Sequence, residues 1–281
     1  MKHTDRLDRA TFHTIAERAD ITPLPRDIRW FQHLERHGPL SSKQLIAWTA
    51  DTHRCRDTAL RRLQALRAAR YLILPPQQRA TERAEFKPYI YDLGLLAQRH
   101  LREAGLSEPV IRPGGPWWHI YETASFTARI DLACRDRGYR FILGHEILAR
   151  SSATLAISID RQKLIPDQLF AIDYGGRFRA FMLEIDRGTE PIASPQTRKS
   201  WTSALELYER VFKGGYANQH YGLKAPVIVL WQLSTEARLR AFEGVLERKG
   251  LVRARRYWAG VGGSGGQGHR LMAAILDSDL R

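Results

Sequence analysis

The sequence is poor in cysteine and contains no long apolar run. Its two cysteines, Cys55 and Cys134, stand far apart among 281 residues, so neither a disulfide framework nor a cysteine-based zinc site is expected. No apolar segment approaches the ~20 residues that a membrane-spanning helix requires. The amino terminus, MKHTDR, lacks the apolar core of a secretory signal. These absences favour a cytoplasmic protein that does not associate with a membrane.

Positive charge is in excess. Lysine and arginine number 44 against 30 acidic residues, which gives a net charge of +14 and a pI near 10.2. A surface this basic attracts polyanions. The glycine-rich stretch at residues 261–268 lacks the Lys-Ser/Thr pair with which a phosphate loop holds a nucleotide. We therefore expect a nucleic-acid partner and no nucleotide or organic cofactor.

Proline and glycine clusters divide the chain. Residues 1–25 are polar and end in Pro23-Leu24-Pro25, which indicates an amino-terminal arm. Residues 108–116 contain three prolines and two glycines, a composition typical of a linker. The sequence thus predicts two domains, at residues 26–107 and 117–281.

The first domain has the pattern of a winged helix. Apolar residues recur at helical spacing after Arg26, after Ser41, and from Thr52 to about Arg70. Two strand-like segments, residues 71–74 and 89–93, then bracket a polar tip. Three helices followed by a two-stranded ribbon form the plan of a helix-turn-helix with a wing.

The third predicted helix concentrates positive charge. Residues 53–70 contain six arginines and a single acidic residue, Asp57. Arginine forks match phosphate oxygens and guanine edges, which suits a helix in the major groove of double-stranded DNA. The alternative is a solvated helix face with no partner. The predicted DNA-contacting residues, on this helix and on the wing tip, are Arg54, Arg56, Arg61, Arg62, Arg67, Arg79, Arg83 and Lys87.

The second domain alternates helical and strand-like segments. The predicted elements are a helix at 117–136, strands at 139–143 and 145–148, a hairpin with strands at 169–172 and 178–183, a helix at about 196–212, a strand at 227–231, a helix at 236–249 and a last strand at 271–276. Their order predicts a mixed α/β domain of the restriction-endonuclease-like fold.

Acidic residues stand on both strands of the predicted hairpin. Pro166-Asp167 precedes the first strand, and Leu183-Glu184-Ile185-Asp186 ends the second. This arrangement resembles the PD-(D/E)xK motif of the restriction-endonuclease-like fold, in which carboxylates hold a divalent cation beside a phosphodiester. Asp186 occupies the position at which that motif has its lysine.

The resemblance implies a metal site. Asp167 and Glu184 would hold Mg²⁺ or Mn²⁺, and Asp186 and Glu122 would be further ligands. Lys199, on the following helix, would stabilise the charge of the reacting phosphate. The alternative is structural, because Asp167 can cap a turn and the acids on the second strand can pair with neighbouring arginines.

A closer resemblance extends over roughly residues 26–250. The segment Glu184–Glu190, with Pro166-Asp167 before it and Arg198-Lys199 after it, resembles the replication-relaxation family. That resemblance implies DNA association during the replication or transfer of plasmids and mobile elements, with the proteins of replication or transfer as further partners.

We predict a DNA-binding protein whose second domain retains a nuclease fold. Two alternatives stay open. A Mg²⁺-dependent endonuclease would use Asp167 and Glu184, whereas a winged-helix transcriptional regulator would bind a palindromic site as a homodimer.

Overall fold

The computed structural model describes residues 21–80, 87–188, 191–192, 200–262 and 268–277. Internal contacts divide the chain into two compact units, Met1–Leu132 and Ala133–Arg281. Helices and β-sheet occur in both, which confirms the predicted mixed α/β class. Among the helices of the described ranges, none is both long and apolar enough to cross a membrane.

The first unit contains the helices and ribbon strands that periodicity predicted. Its elements are α1 (Pro25–His37), β1 (Leu40–Ser41), α2 (Ser42–Trp48), α3 (Arg56–Ala68), β2 (Leu72–Ile73), β3 (Ile90–Leu93), α4 (Leu95–Glu103) and most of α5 (Trp117–Asp136). The strands pair antiparallel in the order β1-β3-β2. Gly94 follows β3 closely, and a Cβ there would lie 2.2 Å from the carbonyl oxygen of Arg70, so only glycine fits.

Apolar side chains at helical spacing form the core of this unit. Trp30, Phe31 and Leu34 of α1 are fully buried, as are Leu63 and Leu66 of α3. The indole nitrogen of Trp30 also donates a hydrogen bond to the Leu45 carbonyl of α2 (2.8 Å). This single bond satisfies a polar group that would otherwise be costly to bury.

The division between the units falls inside α5 and not at residues 108–116, where the sequence predicted a linker. Ala124 and Ala128 belong to the core of the first unit, and the side-chain amide of Gln44 donates to the Ser125 carbonyl (3.1 Å). Prolines and glycines reveal where regular structure stops. They do not reveal contacts between residues 81 positions apart, and those contacts assign the start of α5 to the first unit.

The second unit is built on a five-stranded sheet. Its elements are β4 (Arg140–Leu143), α6 (Gly144–Ser151), β5 (Ile157–Ile159), β6 (Gln162–Leu164), β7 (Gln168–Asp173), β8 (Phe178–Asp186), α7 (Trp201–Lys213), α8 (Tyr216–Tyr221), β9 (Val227–Leu233), α9 (Glu236–Arg248), β10 (Tyr257–Val261) and α10 (Gly268–Leu276). The sheet order is β10-β9-β8-β7-β4, and β5 and β6 form a separate two-stranded sheet. Strands β4, β7 and β8 run antiparallel, whereas β8, β9 and β10 run parallel.

The predicted hairpin is strands β7 and β8. Gln168 pairs with Leu183, and the carboxylate of Asp173 accepts the N–H of Gly176 in the turn (2.6 Å). On its other side β8 pairs with β9, so that Glu184 stands beside Trp231. Every residue of β9 is buried, as its continuous apolar run predicts for a strand covered on both faces.

Two of the predicted strands are helices. Residues 145–148 lie in α6, where the carboxylate of Glu146 accepts the N–H of Leu143 (3.0 Å) and closes the first turn. Residues 271–276 lie in α10. A short apolar run does not distinguish a strand from a buried helix. Local periodicity did not predict the hairpin β5–β6 or the strand β10. The described part of the helix predicted at 196–212 begins at Trp201.

Candidate functional site

Helix α3 presents part of its positive charge to solvent. Arg56 and Arg61 are exposed on the helix, and Arg54 is exposed just before it. The opposite face is apolar, because Ala59, with the two α3 leucines of the core, is fully buried. The exposed arginines therefore form a basic surface, called here the basic face of α3, at the solvent-exposed start of a helix whose orientation is set by its packing.

Arg62, which the sequence analysis grouped with the DNA contacts, faces inward. Its guanidinium lies 2.6 Å from Asp27, whose carboxylate is fully buried at the start of α1. The same guanidinium donates to the Thr22 carbonyl (2.8 Å). Helical periodicity predicts which residues share a face, but the inward turn of Arg62 depends on an acid 35 positions earlier.

The remaining predicted contacts differ in exposure. Arg67 is half-buried, and this burial lowers the pKa of its guanidinium from the usual value. Arg79 is also half-buried, whereas Lys87 is exposed in the segment that leads into β3. Arg83 lies outside the described residues. Exposed arginine and lysine side chains thus occur both on α3 and beside the ribbon.

Cys55 lies between the exposed arginines at the start of α3. Hydrogen bonding to the Thr58 hydroxyl (3.3 Å) and to the Thr58 and Asp57 backbone lowers the pKa of this thiol. The thiolate is the reactive form, so Cys55 is expected to react faster than an ordinary exposed cysteine. Cys134 is buried. The chain therefore carries one accessible thiol on the basic face of α3.

Asp167 lies against strand β8 in the second unit. Its Oδ2 accepts the N–H of Ile185 (2.7 Å), and its own N–H donates to the Leu183 carbonyl (2.9 Å). The two bonds place this half-buried carboxylate beside Glu184, the residue between its two partners. The sequence predicted this proximity from the hairpin alone.

Glu184 is 2% exposed and is paired with a tyrosine. The hydroxyl of Tyr208, on α7, donates to Glu184 Oε1 (2.6 Å). Burial raises the pKa of the Tyr208 phenol well above its usual range, and the negative charges of Glu184 and Asp167 raise it further. The phenol therefore keeps its proton and its role as a donor, with two carboxylates nearby.

Asp186 has a separate partner. Its fully buried carboxylate lies 2.6 Å from Nε of Arg238, on α9, and accepts the N–H of Gly188 (2.7 Å). The Arg238 guanidinium also lies 4.4 Å from the ring centre of Trp201, at the start of α7. Both oxygens of Asp186 thus accept hydrogen bonds from the protein. This arrangement agrees with the alternative in which an acid of the second strand pairs with an arginine.

Of the remaining predicted site residues, Glu122 belongs to the first unit and Lys199 lies outside the described residues. Tyr208 and Arg238 were not predicted from the sequence as partners of Glu184 and Asp186. Tyr208 lies on the apolar face of an amphipathic helix, where its hydroxyl signals that an acceptor must be near. Arg238 gives no comparable signal, because it lies 52 positions from Asp186.

Together these features define a basic, two-unit α/β protein with an arginine-bearing helix in one unit and two neighbouring acidic residues, Asp167 and Glu184, in the other. The chain belongs to the replication-relaxation family, whose model matches residues 31–227. Membership confirms the resemblance and indicates a role in the replication or transfer of plasmids or mobile elements. No curated protein and no solved structure gave a match.

Proposed function

We propose that the chain binds double-stranded DNA through α3 during the replication or transfer of a plasmid or mobile element. The observation that supports this role is the exposure of Arg54, Arg56 and Arg61 together on one short segment. Arginine forks bind phosphate oxygens and guanine edges in the major groove. The formal charge of +14 would add attraction to any polyanion.

The packing of α3 favours this role because it preorganises the basic face. The buried leucines and the Arg62–Asp27 ion pair hold the helix against α1. The arginines would then contact DNA without the cost of ordering a flexible segment. The succession of α2, α3 and the β2–β3 ribbon agrees with the winged-helix plan, in which the third helix enters the groove.

Removing two of these arginines is expected to weaken DNA binding. We expect Arg56→Ala/Arg61→Ala to raise the Kd for duplex DNA roughly 10- to 100-fold and to reduce the slope of log K against log salt by about two. The slope falls because fewer counterions are released. Fluorescence anisotropy of a labelled mixed-sequence duplex, titrated at several KCl concentrations, measures both quantities.

The matched control is Arg99→Ala/Arg102→Ala, which removes the same charge from exposed positions on α4. We expect it to change affinity and slope much less. Equal losses in the two double variants would leave only a general charge effect and overturn the role of α3. As an independent readout, duplex DNA should slow alkylation of Cys55, because this thiol lies within the proposed interface.

A second candidate function is metal-dependent DNA cleavage, favoured by the placement of Asp167 beside Glu184. Carboxylate oxygens are the ligands that Mg²⁺ and Mn²⁺ prefer. Asp186 does not fit this donor set, since Arg238 and Gly188 engage its oxygens. Asp167 and Glu184 would hold the cation, which would supply an activated water and offset charge on the phosphodiester.

Cleavage requires both carboxylates if this candidate is correct. We expect wild-type protein to nick supercoiled plasmid with Mg²⁺ or Mn²⁺ and not with EDTA. Asp167→Asn and Glu184→Gln should each lower the rate at least about 100-fold, while Asp160→Asn, an exposed acid in the same unit, should not. Agarose gels over a time course measure the rate.

The two candidates separate cleanly. Absence of metal-dependent nicking by wild-type protein would exclude the nuclease and leave the DNA-binding proposal intact. Equal residual cleavage in Asp167→Asn and Asp160→Asn would assign the activity to a contaminant. Duplex affinity of the acid variants should stay near that of wild type, because neither residue belongs to α3.

A further inference from the structure

A buried group of two histidines and an aspartate lies in the first unit, away from α3. His33 and His37 are one turn apart on α1, and Asp131 lies on α5. Their side chains are 1%, 1% and 11% exposed. One ligand atom from each lies within 4.8 Å of the others. Neither the DNA-binding proposal nor the nuclease candidate uses these residues.

The spacing of the three atoms suits a metal ion of transition-metal size. Oδ2 of Asp131 lies 3.0 Å from Nε2 of His37 and 3.8 Å from Nδ1 of His33. Zinc bonds of about 2.0–2.1 Å in tetrahedral geometry separate neighbouring ligand atoms by about 3.3 Å. The first of these distances is slightly shorter than that separation and the second about half an ångström longer, while one nitrogen of each histidine lies within 4.8 Å of the other.

The contacts of Nδ1 allow the His37 tautomer whose Nε2 lone pair points at the Asp131 carboxylate. Nδ1 lies 2.9 Å from the Thr127 hydroxyl, which itself lies 3.2 Å from the carbonyls of Thr123 and Ala124. When that hydroxyl donates to a carbonyl, its oxygen can accept Nδ1–H. This tautomer points the Nε2 lone pair of His37 at the carboxylate oxygen of Asp131, the arrangement in which a cation between the two atoms binds both.

The surroundings hold the histidines as metal ligands are commonly held. A hydrogen bond from the non-ligating nitrogen, such as that from His37 to Thr127, fixes the tautomer and ring orientation of a metal-binding histidine. The His33 ring stacks on Trp48, with 4.0 Å between the ring centres. Two imidazoles and one carboxylate form a donor set that zinc takes readily and that magnesium does not.

We propose that His33, His37 and Asp131 bind one divalent transition-metal ion, Zn²⁺ by its donor preference, as a structural centre that joins α1 to α5. Asp131 is the most exposed of the three ligands, so water would complete the coordination from its side. The ion would strengthen a junction to which apolar packing of Ala124 and Ala128 already contributes.

The test uses full-length, tag-free protein stripped with EDTA and then dialysed against Zn²⁺. We expect stoichiometric zinc by mass spectrometry and a rise in melting temperature on the order of 10 °C at saturating zinc. Co²⁺ in the same site should give the visible d–d absorption of a low-symmetry, near-tetrahedral centre. None of these readouts requires DNA or activity.

Substitutions locate the site. His37→Gln and Asp131→Asn should each abolish stoichiometric binding and the thermal shift, while His100→Gln, a histidine on α4, should retain both. Asp131→Asn keeps the shape of a partly exposed side chain, so it should fold even if the histidine variant does not. Wild-type protein that binds no zinc and melts unchanged would overturn the proposal and leave a proton as the cation between the two groups.

Discussion

Replacing Asp27 with alanine is expected to lower the free energy of unfolding of the first unit by about 3–5 kcal/mol, because a partly buried arginine would lose its partner. The Asp27 carboxylate is fully buried and accepts two nitrogens of Arg62, at 3.1 Å and 2.6 Å. It also accepts the N–H of Leu24 (2.7 Å) at the start of α1. The substitution therefore removes an ion pair and a helix cap together.

Hydrogen exchange measured by mass spectrometry is the suitable assay, since it reports opening of the first unit separately from the second. Protection of peptides that cover α1 and α3 should fall in Asp27→Ala. This protection should fall less in Asp27→Asn, because the amide oxygen of the asparagine can still accept the Leu24 N–H. Asp57→Ala removes an exposed acid of the same charge and serves as the control. Protection within about 1 kcal/mol of wild type in Asp27→Ala would contradict the buried pair.

Replacing Arg238 with methionine is expected to destabilise the second unit by a comparable amount, about 3–5 kcal/mol. The reason is the asymmetry of the pair: the Asp186 side chain is fully buried, whereas Arg238 is 22% exposed. Without the guanidinium, a charged carboxylate stays in the interior beside the single N–H of Gly188. The contact of the guanidinium with the Trp201 ring is lost as well.

Replacing the acidic member of the pair should lower the free energy of unfolding by less. In Asp186→Asn the guanidinium can turn towards water, so we expect a loss smaller than that of Arg238→Met. Urea unfolding and exchange of peptides that cover β8 measure both variants, and Arg240→Met, at an exposed position of α9, is the control. Equal losses of unfolding free energy in Arg238→Met and Asp186→Asn would contradict the expectation that Arg238→Met leaves an uncompensated charge on a buried carboxylate.

The two ion pairs also reduce the number of residues that each proposed site can contain. Arg62 is engaged with Asp27, so the basic face of α3 consists of Arg54, Arg56 and Arg61. Asp186 is engaged with Arg238, so the acid pair beside Tyr208 consists of Asp167 and Glu184. Each proposed site therefore contains fewer residues than the sequence predicted, and each can be tested with two substitutions.

Local patterns determined much of this protein from the sequence alone. Periodicity located α1, α3, α5 and α9, because a helix that buries one face repeats its apolar residues at its own turn. The apolar run at residues 227–231 predicted β9, and the Gly175-Gly176 turn predicted the β7–β8 hairpin. The motif Pro166-Asp167 with Glu184 predicted two acidic residues close together on the hairpin, and the Asp167 carboxylate accepts the N–H of Ile185, the residue after Glu184.

Only the tertiary structure decided which charged side chains are exposed and which are held in buried contacts with one another. Asp27 and Arg62, Asp186 and Arg238, and His37 and Asp131 are pairs separated by 35, 52 and 94 positions. No local pattern encodes such contacts, because they depend on which helix faces pack together. Long-range contacts of the same kind, from Ala124, Ala128 and Ser125 to the core and α2 of the first unit, accompany the division between the units inside α5. Composition and periodicity thus specified the elements and the excess charge, whereas long-range packing selected the residues that stay exposed on α3 and those that stay buried.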